Sequence, residues 1–181
     1  MPSKILAQGR WLILEEISYI DSGGNTRSWE CVRRVAGRGA ASIIAITRIS
    51  GDPHLVVVKQ FRPPVNRYVI ELPAGLIDMG EQTAMTAARE LAEETGFHGE
   101  TIGVGPFVHN SPGLSDEKVA VVEITVSGRV APTAAPGEIQ EVMTLPLKDL
   151  KNTLLVEEKK GASLDAKLWC FTLGLEYRDS R

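Results

Sequence analysis

Residues 75–97 read GLIDMGEQTAMTAARELAEETGF. From about Gln82 to Thr95 the spacing predicts a helix, with Ala84, Ala87, Ala88 and Leu91 along one face. Gly96 stands where a left-handed C-terminal cap would fall. The same helix carries Glu90, Glu93 and Glu94. Glu90 and Glu94 are one turn apart, which puts their Cβ atoms roughly 5–6 Å from each other. Like charges at that spacing repel, and the C-terminal end of a helix disfavours anions. The cluster is costly unless a cation offsets it. All-oxygen ligands suit a hard dication, Mg²⁺ or Mn²⁺, better than zinc. Arg89 is placed to pair with the nearby carboxylates.

An acidic cluster on a helix is, taken alone, most often a solvated face. This one belongs to a longer pattern. Gly75 is followed after five residues by Glu81, and after seven more by Arg89-Glu90-Leu91-Ala92-Glu93-Glu94-Thr95-Gly96-Phe97. If each residue type occurs at roughly 1 in 15, the fixed positions coincide by chance about once in 10⁸ starts.

Outward from this stretch the chain reads as strands. Ser42 to Ile49 and Leu55 to Lys59 are apolar, β-branched runs, and Tyr68 to Leu72 is a shorter one beyond the Arg62-Pro63-Pro64 break. Further strands are expected near 104–109, 118–126 and 138–145, with loops at 111–115 and 128–137. Helices are expected near 147–156 and 164–177. Ser163 is the expected N-cap of the last helix, and Trp169 falls among its apolar residues as a core side chain. Before residue 40, Trp11 to Leu14 and Ile17 to Ile20 flank an acidic pair, Asp21 to Asn25 is a turn, and Thr26 to Val35 alternates. A lone hairpin is marginal in water, so it must pack on the body or on a partner subunit. Gly37 and Gly39 mark a joint, dividing the chain into an extension, 1–38, and a main domain, 39–181.

The chain has 181 residues, 43% hydrophobic and 24% charged, with a formal net charge of −3. That is ordinary globular usage and excludes a disordered or fibrous chain. No basic excess is available to neutralise a nucleic-acid backbone, and no apolar run approaches the ~20 residues that span a bilayer. Cys31 and Cys170 make no disulfide framework, which suits a reducing, cytoplasmic location. His54, His98 and His109 lack metal-ligand spacing.

The pattern at 75–97 resembles the Nudix box, Gx5Ex7REUxEExGU with U an aliphatic or bulky apolar residue, and every fixed position is present. The resemblance implies an α/β fold: an α/β/α sandwich with a mixed β-sheet, hydrolysing a nucleoside diphosphate linked to another group. The flanks Gln60 to Pro64, Glu71 to Asp78 and Ser111 to Ser115 look like the ADP-ribose pyrophosphatase (ADP-sugar pyrophosphatase) branch, as does the N-terminal hairpin with Trp11 and Arg27-Ser28-Trp29-Glu30. That branch implies hydrolysis of ADP-ribose to AMP and ribose 5-phosphate. Alternatives are a broader nucleoside diphosphate sugar or oxidised-nucleotide hydrolase, and a non-catalytic ADP-ribose sensor. Sensors commonly lose box carboxylates, and this chain keeps all of them.

The resemblance also implies roles. Glu90 and Glu94 bind metal together with the Ala74 backbone carbonyl, holding two to three Mg²⁺ or Mn²⁺ ions, and Glu93 supports them. Glu81 and Arg89 orient the cluster. A carboxylate on a later loop serves as base and further metal ligand. Glu138 fits that position, with Glu117 and Glu141 as rivals. Trp11 and Trp29, one from each subunit of a homodimer, stack on adenine, and Glu30 accepts from its amino group. Arg34, Arg62 and Leu76 complete the substrate contacts. The hairpin extension then serves dimerisation, with active sites shared between subunits.

Overall fold

The runs read as strands pair into two sheets. The computed structural model describes residues 1–36, 39–134, 137 and 139–179. The N-terminal sheet is antiparallel, with β1 (Ser3–Gln8), β2 (Leu12–Ile20) and β3 (Thr26–Arg34) in that order. β2 and β3 are the expected hairpin, in register from Ile20 opposite Thr26 to Leu12 opposite Arg34. Asp21 builds its turn: Oδ1 accepts from the amides of Gly23 and Asn25 at 2.9 and 2.8 Å. The acidic pair does not interrupt β2. Glu15 is buried and accepts from Arg33 Nε at 3.1 Å, so its charge is matched across the hairpin. β1 was not expected. Its six residues are all exposed, so no apolar alternation marks it, and backbone pairing to β2 alone defines it.

The main sheet has the strand order β11-β6-β5-β4-β9-β8, with β10 beside β5 and β7 beside β4. These strands are β4 (Ala40–Ile49), β5 (Asp52–Arg62), β6 (Arg67–Glu71), β7 (Ala74–Leu76), β8 (Phe97–His109), β9 (Lys118–Arg129), β10 (Glu141–Pro146) and β11 (Ser163–Leu164). β4–β9 and β11–β6 are parallel and the other pairs antiparallel, so the sheet is mixed as expected. β8 begins well before residue 104. Two register shifts, with Gly99 and Gly103, break the alternation that would have marked its first half.

Three α-helices lie among the described residues: α1 (Thr83–Thr95), α2 (Leu150–Lys159) and α3 (Ala166–Asp179). Alternation along the strands sorts the core into two layers. Ala41, Ile43, Ala45, Val56 and Val122 pack with Ala87 and Leu91 of α1. On the other face Leu55, Val57 and Ile70 pack with Leu150 and Leu154 of α2 and Leu168 of α3, and Trp169 lies against this second layer. The result is the expected α/β/α sandwich. Ser163 does not cap α3, because it sits in β11. Asp165 caps instead, its Oδ1 accepting from the amides of Lys167 and Leu168 at 2.9 and 3.2 Å.

The N-terminal sheet docks on its own chain. Val32 N donates to Leu114 O at 2.9 Å, and the Trp29 indole N–H donates to Gly113 O at 3.1 Å. The joint at Gly37 lies outside the described residues, while Gly39 is at a φ of 128° with Lys118 O where a Cβ would stand.

Candidate active site

Backbone geometry places the carboxylates first. β7 runs beside β4, with Ala74 opposite Ser42 and Gly75 opposite Ala41, and α1 packs close over it. A Cβ on Gly75 would lie 1.9 Å from Glu90 Cδ. The glycine is therefore the space that the Glu90 carboxyl occupies. Glu94 is buried, and its Oε2 accepts from the Ala74 amide at 3.2 Å. One short strand thus meets both carboxylates of the helix turn.

Arg89 organises the rest. Its Nη1 donates to Glu90 Oε1 at 2.8 Å and Glu93 Oε2 at 3.2 Å, and its Nε and Nη2 form a two-bond pair with Glu81 at 3.1 Å each. Glu81 also accepts from Thr86 Oγ1 at 2.7 Å. The Arg89 bonds, then the Thr86 bond, hold the Glu81 carboxyl down at about 2, and the carboxylates raise Arg89 above its ordinary value. At the far end Gly96 takes a φ of 75°, and a Cβ there would lie 2.0 Å from Val130 O. The Glu93 carbonyl accepts from the amides of Thr133 and Ala134 at 2.9 and 2.8 Å, which docks the loop after β9 on the end of α1. Gly137 and Ile139 of that loop line a small cleft, about 200 Å³, together with Glu94. Glu138, the expected base, lies outside the described residues.

Glu90 and Glu94 open into a cleft of about 640 Å³, which Ala74, Arg34, Arg62 and Glu117 also line. Arg62 is clamped by Glu71 through two bonds of 2.8 and 2.9 Å, which raise it despite its burial. Arg34 donates twice to Glu117 Oε1, at 2.9 and 2.8 Å. Burial pushes the Glu117 carboxyl up, but bonds from Asn110 and Arg34 outweigh it and the net shift is downward. Glu141, the other rival, is exposed at the start of β10, opposite Lys59. Leu76 lines the same cleft, and its carbonyl accepts from Arg89 at 3.5 Å.

The tryptophans stand apart from this cleft. Trp11 is 67% exposed under the Arg10 guanidinium, and Trp29 is 50% exposed. Trp29 pairs with Ile17, whereas Trp11 sits beside Val35, so the two are separated by six positions, about 20 Å along the strand. Glu30, opposite Glu16, is exposed. The structure therefore brings together Glu90, Glu94, Ala74, Leu76, Arg34 and Arg62, and leaves Trp11, Trp29 and Glu30 on the N-terminal sheet.

Hard oxygen donors fit a divalent ion here. The Glu90 and Glu94 carboxylates meet the same short strand, one in the space left by Gly75 and the other at the Ala74 amide, and among the described residues no histidine or cysteine lines the cleft. Among the described residues no three acidic, histidine or cysteine side chains already form a metal cluster. Two residues missed by sequence reasoning, Ser42 and Lys167, also line the cleft. Ser42 lies within a buried strand and Lys167 in an ordinary helical turn, so neither carried a local signal.

Residues 37–166 match the NUDIX domain. The chain is 36% identical over 190 residues to the ADP-sugar pyrophosphatase of Mus musculus, covering 98% of this chain and 87% of that protein. It is 34% identical over 171 residues to the ADP-ribose pyrophosphatase of Saccharomyces cerevisiae, covering 88% and 74%. A crystal structure of an ADP compounds hydrolase superposes with a TM-score of 0.68 at 21% identity, covering 85% of this chain and 80% of that one, a likeness of fold.

Proposed function

The chain belongs to the Nudix family, and from that premise we propose that it hydrolyses the pyrophosphate bond of ADP-ribose, giving AMP and ribose 5-phosphate. The observation that carries the reading is the fit of Glu90 into the space left by Gly75, with Glu94 tethered to the neighbouring Ala74. Nudix hydrolases generally use divalent metal ions. Glu90, Glu94, the Ala74 carbonyl and Glu138 would hold two to three Mg²⁺ or Mn²⁺ ions, which when bound neutralise the diphosphate and acidify a water.

The protein's own groups do the remainder. Arg34 and Arg62 face the polyanion from the cleft walls, and their guanidinium forks match phosphate oxygens. Their carboxylate partners fix them in place before substrate arrives, which limits the ordering cost of binding. Arg89 holds Glu90 and Glu93 in position, and Glu81 holds Arg89. Glu138 takes the proton of the attacking water, and Glu93 and Glu94 support it from α1. Leu76 packs against the substrate at the cleft mouth.

Adenine stacks between Trp11 and Trp29, and Glu30 accepts from its amino group. Within one chain the two indoles are about 20 Å apart along the hairpin, too far to sandwich one ring. A shared stack therefore requires a second copy, so the protein is a homodimer whose sites draw on both subunits. The extension, 1–38, is the dimerisation element and 39–181 the hydrolase domain. Its partners are a nucleoside diphosphate sugar and itself, with no nucleic acid, consistent with a net charge of −3. No helix among the described residues is long and apolar enough to cross a membrane. Two unpaired cysteines suit the reducing cytoplasm.

Incubation with Mg²⁺ and ADP-ribose should release AMP and ribose 5-phosphate, resolved by ion-exchange chromatography. Cleavage of other nucleoside diphosphate sugars in preference to ADP-ribose would replace the substrate assignment, and tight binding without cleavage would make the protein a sensor. Glu138→Gln should lose most of kcat with an unchanged melting temperature. If it turned over at the wild-type rate, the base would lie elsewhere.

A further inference from the structure

Three arginines at the site share one arrangement. Arg89 gives its Nε and Nη2 edge to Glu81, two bonds of 3.1 Å, and its Nη1 end to Glu90 and Glu93. Arg62 gives the same Nε and Nη2 edge to Glu71, at 2.8 and 2.9 Å. Arg34 gives it to Glu117, at 2.9 and 2.8 Å. A guanidinium carries five N–H donors, so a side-on pair leaves the far end, Nη1 with one N–H of Nη2, for another acceptor. In Arg89 that end is used within the protein, on the carboxylates of the helix turn. Arg62 and Arg34 make no bond from Nη1 among the described residues.

The fold sets which member of each pair faces the cleft. Arg62 ends β5 opposite Arg67, while Glu71 stands on β6 opposite Val58, so the arginine lies back along its strand past the Gln60–Val69 pair to reach the carboxylate. Side-chain exposure is 45% for Arg62 against 13% for Glu71, and 43% for Arg34 against 31% for Glu117. The carboxylates are set into the wall, and the guanidinium groups stand in front of them. Both pairs line the cleft into which Glu90 and Glu94 open. Ion pairs this exposed contribute little to stability. A two-bond pair supplies direction instead, because both donors are satisfied only in one plane.

We propose that Glu71 is a positioning residue: it holds Arg62 side-on so that the Nη1 end of the guanidinium meets the diphosphate, and Glu117 does the same for Arg34. The inference rests on the ADP-sugar reading. It carries a sign opposite to that of charge alone. A carboxylate beside the site of a polyanion repels it, so on Coulombic grounds removing Glu71 strengthens substrate binding. With Glu71 as the holder, removing it weakens binding, because the freed arginine has to be ordered each time substrate arrives and a long side chain loses its rotamers in doing so.

Titration calorimetry with ADP-ribose in EDTA prevents cleavage and reads binding alone. Glu71→Ala should bind about fivefold more weakly than wild type, the factor set by ordering one long side chain, with a melting temperature within a few degrees. Glu71→Gln, which keeps one acceptor and loses the charge, should fall between the two. In an Arg62→Met background Glu71→Ala should cost nothing further, as a double-mutant cycle requires of a residue that acts through another. Tighter binding by Glu71→Ala or Glu71→Gln would mean that repulsion outweighs placement, and would overturn the proposal. Equal losses with and without Arg62 would overturn it as well, since Glu71 would then act on the substrate or the fold directly, and so would an unchanged affinity in Glu71→Ala. A wild-type protein that neither binds nor cleaves ADP-ribose would overturn the substrate reading itself, a failure visible before any variant is made.

Discussion

Gly75 is a residue whose identity is explained by another residue's need for space. Its absent side chain admits the Glu90 carboxyl, and the nearest conflict of a new methyl is with the far end of that flexible side chain. Gly75→Ala should therefore fold, with a melting temperature within a few degrees of wild type, and lose on the order of 100-fold in kcat, because a displacement of about 1 Å costs that much when geometry is critical. Steady-state kinetics with ADP-ribose, paired with a thermal melt, checks both halves. Full activity in a well-folded Gly75→Ala would mean that Glu90 has freedom to move without loss of function. Gly96 differs, since a Cβ there meets backbone, Val130 O, and φ is positive. Substitution there should damage folding rather than catalysis.

At the scale of the element, α1 is a helix burdened with carboxylates and relieved by one arginine. Glu81, Glu90 and Glu93 all bond to Arg89. Glu81 titrates at about 2 in the folded protein, against an ordinary 4.5. Its folded value is depressed, so its stabilising effect is complete above about pH 4.5 and fades as pH falls towards 2. Glu81→Gln lacks that contribution. Denaturant unfolding across pH should find the wild type more stable than Glu81→Gln at pH 7, with the two curves converging between about pH 4.5 and 2. A gap independent of pH would mean that Glu81 acts by packing rather than by charge. Arg89→Met should lower the melting temperature and kcat together, since it releases three carboxylates that then repel one another.

At the scale of the whole molecule, the proposed adenine stack on two tryptophans calls for two copies of the chain. If each adenine is held by Trp11 of one subunit and Trp29 of the other, then Trp11→Ala and Trp29→Ala are each defective at every site. Mixed after unfolding and refolding, the two chains would form heterodimers with one intact site and one doubly defective site. Random pairing predicts recovery to about one quarter of wild-type activity. Analytical ultracentrifugation should find a species of twice the 19.7 kDa chain mass. Two inactive variants that stay inactive on mixing, in a protein that sediments as a dimer, would confine each site to one chain.

The chain spacing alone determined the box helix, its carboxylate turn and the glycine cap, because each is a local pattern, a 3.6-residue period or a residue that tolerates positive φ, whereas the mixed sandwich around them followed from the resemblance to the Nudix box. The resemblance also supplied Arg34 and Arg62 as candidate cations. Tertiary structure decided what those patterns could not. It paired Arg34 with Glu117, 83 positions apart. It made β1 a strand through backbone pairing that no side chain signals. It exchanged Ser163 for Asp165 as the cap of α3, since β11 claimed the serine. It brought Ser42 and Lys167 to one cleft from distant parts of the chain. Sequence periodicity records which face of an element is apolar; which polar side chains meet across the ends of a sheet depends on strand order, and strand order exists only once the chain has folded.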